Sequence, residues 1–193
     1  IVSKIQRNLE GLLQANKIQI FKGTAEFVSP KELKVKGEKI SLIEATTIII
    51  ATGSMPMPIA SLPCDHVKIF DSTSILGLEK FPSSILIVGG GYIGCEFASL
   101  FSELGSKVTI VEALSSIVVA QGKAVSEALS GAFLKKGIQI KTQAMVKSIE
   151  STSNGIKANL ESGESFEAEI ALISIGRKIV TDGLCLEKAG VAT

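Results

Sequence analysis

The chain has 193 residues, of which 46% are hydrophobic, and a formal net charge of +1. This length suffices for one large domain, or for one domain and part of another. The nearly balanced charge gives no electrostatic reason to expect a nucleic acid or an anionic membrane as a partner. The uncharged run Ala45–Cys64 is interrupted by Gly53, Pro56, Pro58 and Pro63, which argues against a membrane-spanning helix.

The three cysteines, Cys64, Cys95 and Cys185, are widely spaced along the chain. Their spacing predicts neither a disulfide framework nor a zinc site, and no other metal site is expected. Such cysteine usage is typical of a reducing compartment, so we expect the cytoplasm, or the mitochondrial matrix in a eukaryote. Cys95 is interpreted as a small buried residue, and His66, the single histidine, as structural rather than catalytic.

The first element that the sequence predicts is a helix. Apolar residues at positions 2, 5, 9, 12 and 13 follow the i, i+3, i+4 spacing of a helix that buries one face. The chain begins with Ile1 rather than methionine, and the residues before this helix do not predict a signal or transit segment. We therefore expect an internal piece of a larger protein.

Short alternating segments follow the helix and are separated by turn residues, which predicts strands. They lie at Ile18–Lys22, Glu26–Val28, Leu33–Val35 and Lys39–Leu42. The next segment, Thr46–Ala51, is apolar and rich in β-branched residues, which predicts a buried parallel strand. Beyond it, Met55–Leu62 is interpreted as a crossing segment, and residues 71–73 as the cap of a short helix.

The segment from Ser84 to Glu112 is the most informative part of the chain. It has an apolar strand at Ile85–Val88, a glycine-rich turn, an amphipathic helix at Tyr92–Leu104, a second apolar strand and an acid at the end of that strand. This order, with the interval between the glycines and the acid, is typical of a site for an ADP-containing dinucleotide. The alternative is an ordinary strand–helix turn, which a bare glycine pattern often is.

Each glycine of the G-x-G-x-x-G pattern has a predicted role. Gly89 lets the chain turn sharply out of the strand, Gly91 lets the backbone approach a pyrophosphate, and Gly94 lets the helix lie close to the sheet. The positive end of the helix would face the phosphates. Glu112 would accept a hydrogen bond from a ribose 2′-hydroxyl, and residues 113–117 offer no Arg or Lys for a 2′-phosphate, so NAD is favoured over NADP. A solvated acid is the alternative for Glu112.

Past this motif the pattern predicts another helix, two more parallel strands and a meander. The helix covers Ala124–Lys136, and the strands cover Ile138–Lys141 and Ile170–Ile175. The meander strands are Ala144–Glu150, Gly155–Leu160 and Ser165–Glu169. The predicted fold class is α/β: a Rossmann-type doubly wound parallel sheet with strand order 3-2-1-4, an inserted antiparallel β-meander, and a stub of a second domain.

These residues also match a known family over the whole chain. The matching segments are KGTAEF (Lys22–Phe27), IIIATGS (Ile48–Ser54), FDSTSIL (Phe70–Leu76), the glycine motif, and ISIGRK (Ile173–Lys178). In this order and spacing the chain resembles the flavin-dependent pyridine nucleotide–disulfide oxidoreductases, and most closely their members that oxidise dihydrolipoyl thiols. One departure is that the family's G-R-x-P-N becomes GRKIV at 176–180, without the proline and the asparagine.

The resemblance implies three segments. Residues 1–54 would be the end of the first FAD-domain segment, 55–177 the NAD-binding domain, and 178–193 the start of the return to the FAD domain. FAD in the intact protein would contact Ala25, Thr52, Gly53 and Ser54. NAD would contact Gly89, Gly90, Gly91, Tyr92, Ile93, Gly94, Glu96, Glu112, Val146 and Gly176.

The resemblance places no catalytic residue in this chain, although Glu96 would assist at the nicotinamide–flavin junction. Without the family, Glu96 would simply complement the helix dipole, Val146 would be a core strand residue and Gly176 a turn glycine.

For the intact protein the resemblance implies electron flow from dihydrolipoyl thiols through a cysteine disulfide and FAD to NAD+. The partners would be the dihydrolipoyl domain of a 2-oxo acid dehydrogenase complex and a second copy in a homodimer. The cysteine pair is expected before residue 1 and a His–Glu pair after residue 193, so the chain alone is expected to be inactive. The alternatives are a mercuric reductase, an NADH oxidase, a transhydrogenase, or a non-catalytic NAD-binding module.

Overall fold

The computed structural model describes residues 2–192. These residues form two compact units, one made of residues 2–53 and 180–192, the other of Ser54–Ile179. The divisions at 53/54 and 179/180 lie close to the domain boundaries expected at 54/55 and 177/178. Which cofactor each unit serves stays a prediction.

The first unit contains one helix and one small antiparallel sheet. Helix α1 covers Val2–Ala15, and strands β1 (Thr24–Ser29), β2 (Glu32–Lys36) and β3 (Ile40–Glu44) pair in that order. A short 3₁₀ helix at Leu186–Ala189 packs on β1, where the N–H of Phe27 donates to the carbonyl of Leu184 at 2.8 Å. Phe27, Val35 and Leu186 are the buried apolar residues of this unit.

One expectation for the first unit is wrong in part, and two are wrong. Helix α1 forms, but none of its residues is buried, and Val2 is 79% exposed. Ile18–Lys22 and Thr46–Ala51 are not strands, and Ile49 is 85% exposed. The physical reason is that an apolar strand needs hydrogen-bonded neighbours. No strand within residues 2–192 pairs with either segment.

The second unit is built on a parallel sheet. In chain order its elements are β4 (Ser54–Pro56), β5 (Ile69–Asp71), β6 (Ser84–Val88), α2 (Tyr92–Glu103), β7 (Lys107–Val111), α3 (Lys123–Lys135), β8 (Gln139–Lys141), β9 (Val146–Thr152), β10 (Gly155–Leu160), β11 (Ser165–Ala168), β12 (Ile170–Ile173) and β13 (Arg177–Ile179). The parallel sheet has the order β5-β12-β6-β7-β8. The predicted order 3-2-1-4 is therefore confirmed, with β5 as an additional edge strand.

The two faces of this sheet are covered differently. Successive residues of a strand point to opposite faces, so Ile85 and Ile87 pack with Phe101 of α2 and Phe133 of α3. On the other face, residues such as Leu86 pack against the antiparallel meander, whose order is β11-β10-β9. The α/β class and the meander are confirmed, and the meander supplies the layer opposite the helices.

The end of helix α2 follows from its local sequence. Helix α2 ends at Glu103. Just beyond it, Gly105 takes a positive φ and the backbone N–H of Ser106 donates to the carbonyl of Phe101 at 2.9 Å, the closing pattern that a glycine permits.

In the part of the chain that the structure describes, no helix is long and apolar enough to cross a membrane.

Asp65 ties the start of β5 to the meander. Its Oδ1 accepts hydrogen bonds from the backbone N–H groups of Val67, Lys68 and Ile69, each at 2.8 Å, and its Oδ2 accepts one from the hydroxyl of Ser151. Burial by itself raises the pKa of Asp65, but these four donors outweigh it and hold the pKa well below its usual range.

We expect Asp65→Asn to lower the free energy of unfolding by about 1 kcal/mol at pH 7, the scale for bonds to a charged group after solvent screening is allowed for. Because the folded pKa is depressed, this contribution is present above the unfolded pKa of about 3.9 and is lost as the pH falls. Denaturant unfolding should therefore show a smaller difference from the native chain at pH 3. An equal loss at both pH values would contradict this.

Candidate functional site

A cleft of about 650 Å³ opens at the carboxyl ends of β6, β7 and β12 in the second unit. Because the three strands are parallel, their carboxyl ends meet at one edge of the sheet. Its lining is Leu62, Val88, Gly89, Gly91, Tyr92, Ile93, Val111, Glu112, Ala113, Leu114, Ala144, Met145, Val146, Ser174, Ile175, Gly176 and Arg177.

The turn between β6 and α2 is held by tight backbone packing. Gly89 has a φ of +105°, which favours glycine, and its N–H donates to the carbonyl of Val111 at 2.9 Å. A Cβ at Gly94 would lie 2.0 Å from the carbonyl oxygen of Gly89 and 2.9 Å from Oγ of Ser174. The start of α2 is thus pressed against the end of β6, at a distance that only glycine allows.

Gly91 differs from its neighbours because a Cβ there would meet no atom within 4 Å. It lines the cleft and immediately precedes α2, whose first intrahelical bond runs from the N–H of Cys95 to the carbonyl of Gly91 at 2.9 Å. The N–H groups at Tyr92, Ile93 and Gly94 therefore lie at the open start of the helix. Helix dipole and free donors together suit an anionic group at this point.

Glu112 extends from the end of β7 toward the glycine turn. Its Oε2 accepts the N–H of Gly90 at 2.5 Å, and its Oε1 accepts the N–H of Leu114 at 2.8 Å. The side chain is half-buried and also lines the cleft. The carboxylate is held in place by backbone donors, and each of its oxygens has a further lone pair for a ligand.

Two polar residues of the cleft were not predicted as site residues. Oγ of Ser174 lies 3.1 Å from the carbonyls of both Val88 and Gly89, so it joins the ends of β12 and β6. Arg177 donates from Nε to Oγ of Ser54 at 2.7 Å, and from its terminal nitrogens to the carbonyl of Ser54 at 2.6 Å and to Oγ of Ser72 at 3.2 Å. Ser174 lies inside the strand predicted at Ile170–Ile175, and Arg177 follows that strand. Their hydrogen-bond partners lie up to 123 residues away in sequence, and a local sequence pattern cannot predict such contacts.

The walls of the cleft are apolar. Val146 at the start of β9 is buried, as are Leu62 and Ala144, whereas Met145 and Leu114 are more than half exposed at the rim. Gly176 borders the cleft, and its carbonyl accepts the N–H of Met57 at 3.1 Å. Val146 and Gly176 were predicted as site residues, whereas Leu62, Leu114, Ala144 and Met145 were not.

Other predicted residues lie elsewhere. Glu96 is exposed on α2 and does not line the cleft, and Gly90 lies beneath the turn rather than on its surface. Ala25, Thr52 and Gly53 belong to the first unit, where the hydroxyl of Thr52 donates to the carbonyl of Val180. Ser54 belongs to β4, where Arg177 contacts it.

Cys95 is buried behind the turn, and its thiol lies 3.5 Å from the carbonyl of Gly90. Burial, with a smaller effect of the Glu112 charge, raises the pKa of this thiol to about 11, so it is protonated and unreactive at neutral pH. Among residues 2–192, no group of three or more His, Cys, Asp or Glu side chains could hold a metal ion.

A glycine-rich turn that opens a cleft at a parallel sheet edge, opposite an acid at the end of the next strand, defines the Rossmann class of folds. The chain belongs to the pyridine nucleotide-disulphide oxidoreductase family, whose sequence model matches residues 1–193.

Curated relatives match nearly the whole chain. It is 42% identical over 191 residues to a dihydrolipoyl dehydrogenase of Chlamydia pneumoniae, covering 99% of this chain and 41% of the relative. It is 40% identical over 195 residues to a dihydrolipoyl dehydrogenase of Staphylococcus aureus, covering 99% and 42%. The chain thus spans about two fifths of the length of these relatives.

Solved structures of similar fold include a flavoprotein disulfide reductase and a protein named LpdA. LpdA from Mycobacterium tuberculosis aligns with a TM-score of 0.88 at 25% identity, over 98% of this chain and 43% of that one. The HOCl-induced flavoprotein disulfide reductase RclA from Escherichia coli aligns with a TM-score of 0.79 at 31% identity, over 97% and 42%.

The packing at the turn separates the roles of two glycines. We expect Gly94→Ala to lower the free energy of unfolding by about 1–3 kcal/mol, the cost of overpacking, because its Cβ would collide with the carbonyl of Gly89. Gly91→Ala is the matched control and should unfold like the native chain, since its Cβ enters open space. Thermal unfolding without ligand checks this, and equal effects of the two variants would contradict it.

Proposed function

We propose that this chain is the NAD-binding portion, with part of the flavin domain, of a flavoprotein oxidoreductase that oxidises dihydrolipoyl thiols to a disulfide and passes the electrons through FAD to NAD+. The observation that carries the proposal is the cleft in which the open start of α2 lies opposite the carboxylate of Glu112. The relatives named dihydrolipoyl dehydrogenase support the choice of substrate.

The residues of the cleft fit a dinucleotide. The N–H groups at the start of α2, beside the empty space at Gly91, would hold the pyrophosphate. Glu112 would accept a ribose hydroxyl, and the apolar wall that includes Leu62 and Val146 would cover the adenine. Gly176 and Arg177 would border the nicotinamide half.

The two cofactors supply the hydride and electron chemistry when they are bound. The residues of this chain would bind and orient them. We propose that Ala25, Thr52 and Gly53 of the first unit contribute to the FAD site. The apolar segment Thr46–Ala51, exposed in this structure except for the half-buried Ile48, would then be covered by the remaining parts of the flavin domain. The proposed partners of the whole protein are a dihydrolipoyl domain and a second copy of the protein.

A second candidate is another flavoprotein disulfide reductase with a different thiol or disulfide substrate. It is favoured by the likeness to RclA, at 31% identity and a TM-score of 0.79. Assaying the whole protein for reduction of NAD+ by dihydrolipoamide separates the two. Turnover supports the first proposal, whereas flavin reduction by NADH without dihydrolipoamide turnover supports the second.

Nucleotide choice tests the role of Glu112. We expect NAD(H) to bind much more tightly than NADP(H). The carboxylate of Glu112 would repel a 2′-phosphate, and residues 113–117 contain no Arg or Lys that could neutralise it. Glu112→Ala should weaken NAD binding by about 1–3 kcal/mol, the scale for a lost bond to a charged group. Calorimetric titration measures both, and equal affinities of the native protein for NAD and NADP would refute this role.

Glu96 offers a test at the nicotinamide end. If it orients the junction of nicotinamide and flavin in the whole protein, Glu96→Ala should slow the reoxidation of reduced flavin by NAD+ more than it weakens NAD binding. Stopped-flow absorbance of the flavin measures the rate. An unchanged rate would mean that Glu96 only complements the dipole of helix α2. Its exposed position outside the cleft lining agrees with that role.

A further inference from the structure

Both backbone polar groups of Gly90, the middle glycine of the turn, are bonded to groups outside the turn. Its N–H donates to Oε2 of Glu112 at 2.5 Å. Its carbonyl accepts the N–H of Val118 at 2.7 Å and lies 3.5 Å from the thiol of Cys95. Glu112 and Val118 both belong to the segment that follows β7. That segment therefore holds the turn by hydrogen bonds on the side away from the cleft.

Packing adds to these bonds. Ile117 is fully buried, and a Cβ at Gly90 would lie 2.7 Å from its Cγ2 and 3.2 Å from Oε2 of Glu112. Val118 has a φ of +43°, which is rare for a β-branched residue and persists only where the surroundings enforce it. We call the set formed by Gly90, Glu112, Ile117 and Val118 the Gly90 latch.

We propose that Glu112, through the Gly90 latch, is a positioning residue for the pyrophosphate turn as well as a ribose contact. Its bond to Gly90 withdraws that N–H from the cleft and leaves the donors at the start of α2 for the phosphates. It also fixes the turn before any ligand arrives, which reduces the ordering cost of binding. The proposal deepens, and rests on, the proposed dinucleotide site.

The two roles of Glu112 separate when the ligand has no 2′-hydroxyl. We would titrate the whole protein with ADP and with 2′-deoxy-ADP by calorimetry. If Glu112 acted through the ribose 2′-hydroxyl alone, Glu112→Ala would weaken the binding of ADP and leave that of 2′-deoxy-ADP unchanged. If it also positions the turn, Glu112→Ala should weaken 2′-deoxy-ADP by about fivefold or more, and ADP by a larger factor.

A second variant disturbs the latch without removing the carboxylate group. Gly90→Ala puts a Cβ 2.7 Å from Cγ2 of Ile117 and 3.2 Å from Oε2 of Glu112, so it should weaken the binding of both ADP and 2′-deoxy-ADP. ADP should stay the tighter ligand, because the carboxylate is still present to accept its 2′-hydroxyl. Glu127→Ala is the charge control, because Glu127 is an exposed acid of α3 whose ion pair with Lys123 spans 3.7 Å. It should bind both ligands like the native protein.

Hydrogen exchange of the ligand-free protein gives a readout independent of binding. A peptide containing Gly90 should exchange about tenfold faster in Glu112→Ala than in the native protein or in Glu127→Ala. Unchanged exchange, or unchanged affinity of Glu112→Ala for 2′-deoxy-ADP, would overturn the positioning role. If the native protein bound neither ADP nor NAD, the proposed function would fail, and faster exchange would still show that Glu112 holds the turn.

Discussion

The close approach of α2 to the end of β6 governs the rest of the second unit. Gly94 lies so near the carbonyl of Gly89 that any side chain would force the helix outward. This contact sets where the helix begins, and therefore where its unbonded N–H groups point. It also brings Cys95 and Phe101 of the same helix into the core beneath. The cleft is a consequence of this packing, because a displaced helix would change its floor and its donors together.

The cleft has few charged lining residues, and they lie far apart in the sequence. Among its lining residues, Glu112 and Arg177 carry the charge, and each is held by backbone or hydroxyl partners rather than by the other. Apolar residues form the walls between polar groups of few kinds, the usual composition of a small-molecule site. Such a site selects its ligand by placed donors and acceptors rather than by bulk charge, in keeping with the chain's net charge of +1.

The sequence predicted what depends on local pattern and missed what depends on distant partners. The strand–turn–helix of β6 and α2 and the meander follow from periodicity and turn residues. The order of four parallel strands follows from the Rossmann class that the glycine motif indicates. The edge strand β5 has three residues and follows no predicted helix, whereas the equally short β8 is marked by the helix α3 before it. Thr46–Ala51 shows the reverse case, since its composition is that of a buried strand but a strand exists only where another pairs with it.

At the site, too, local patterns were predicted and contacts between distant residues were not. Gly91 and Glu112 were recognisable from spacing, because the glycine interval and the following acid are properties of one continuous segment. The bond from Gly90 to Glu112, the hydroxyl of Ser174 at two strand ends and the three contacts of Arg177 join residues far apart in the chain. These contacts arise from the sheet topology, so they become visible only once the fold is known.

The pairing of β4 with β13 has a consequence for how the protein is made. The chain passes into the second unit along β4 and out of it along β13, and the two strands pair antiparallel, with Ser54 opposite Ile179. The ends of the second unit thus lie about 5 Å apart, one strand spacing. That unit is one continuous stretch, whereas the first unit needs residues from both sides of it, including the bond from the N–H of Val180 to the carbonyl of Gly53. During synthesis the second unit can fold as soon as it leaves the ribosome, while the first waits for the residues after 180.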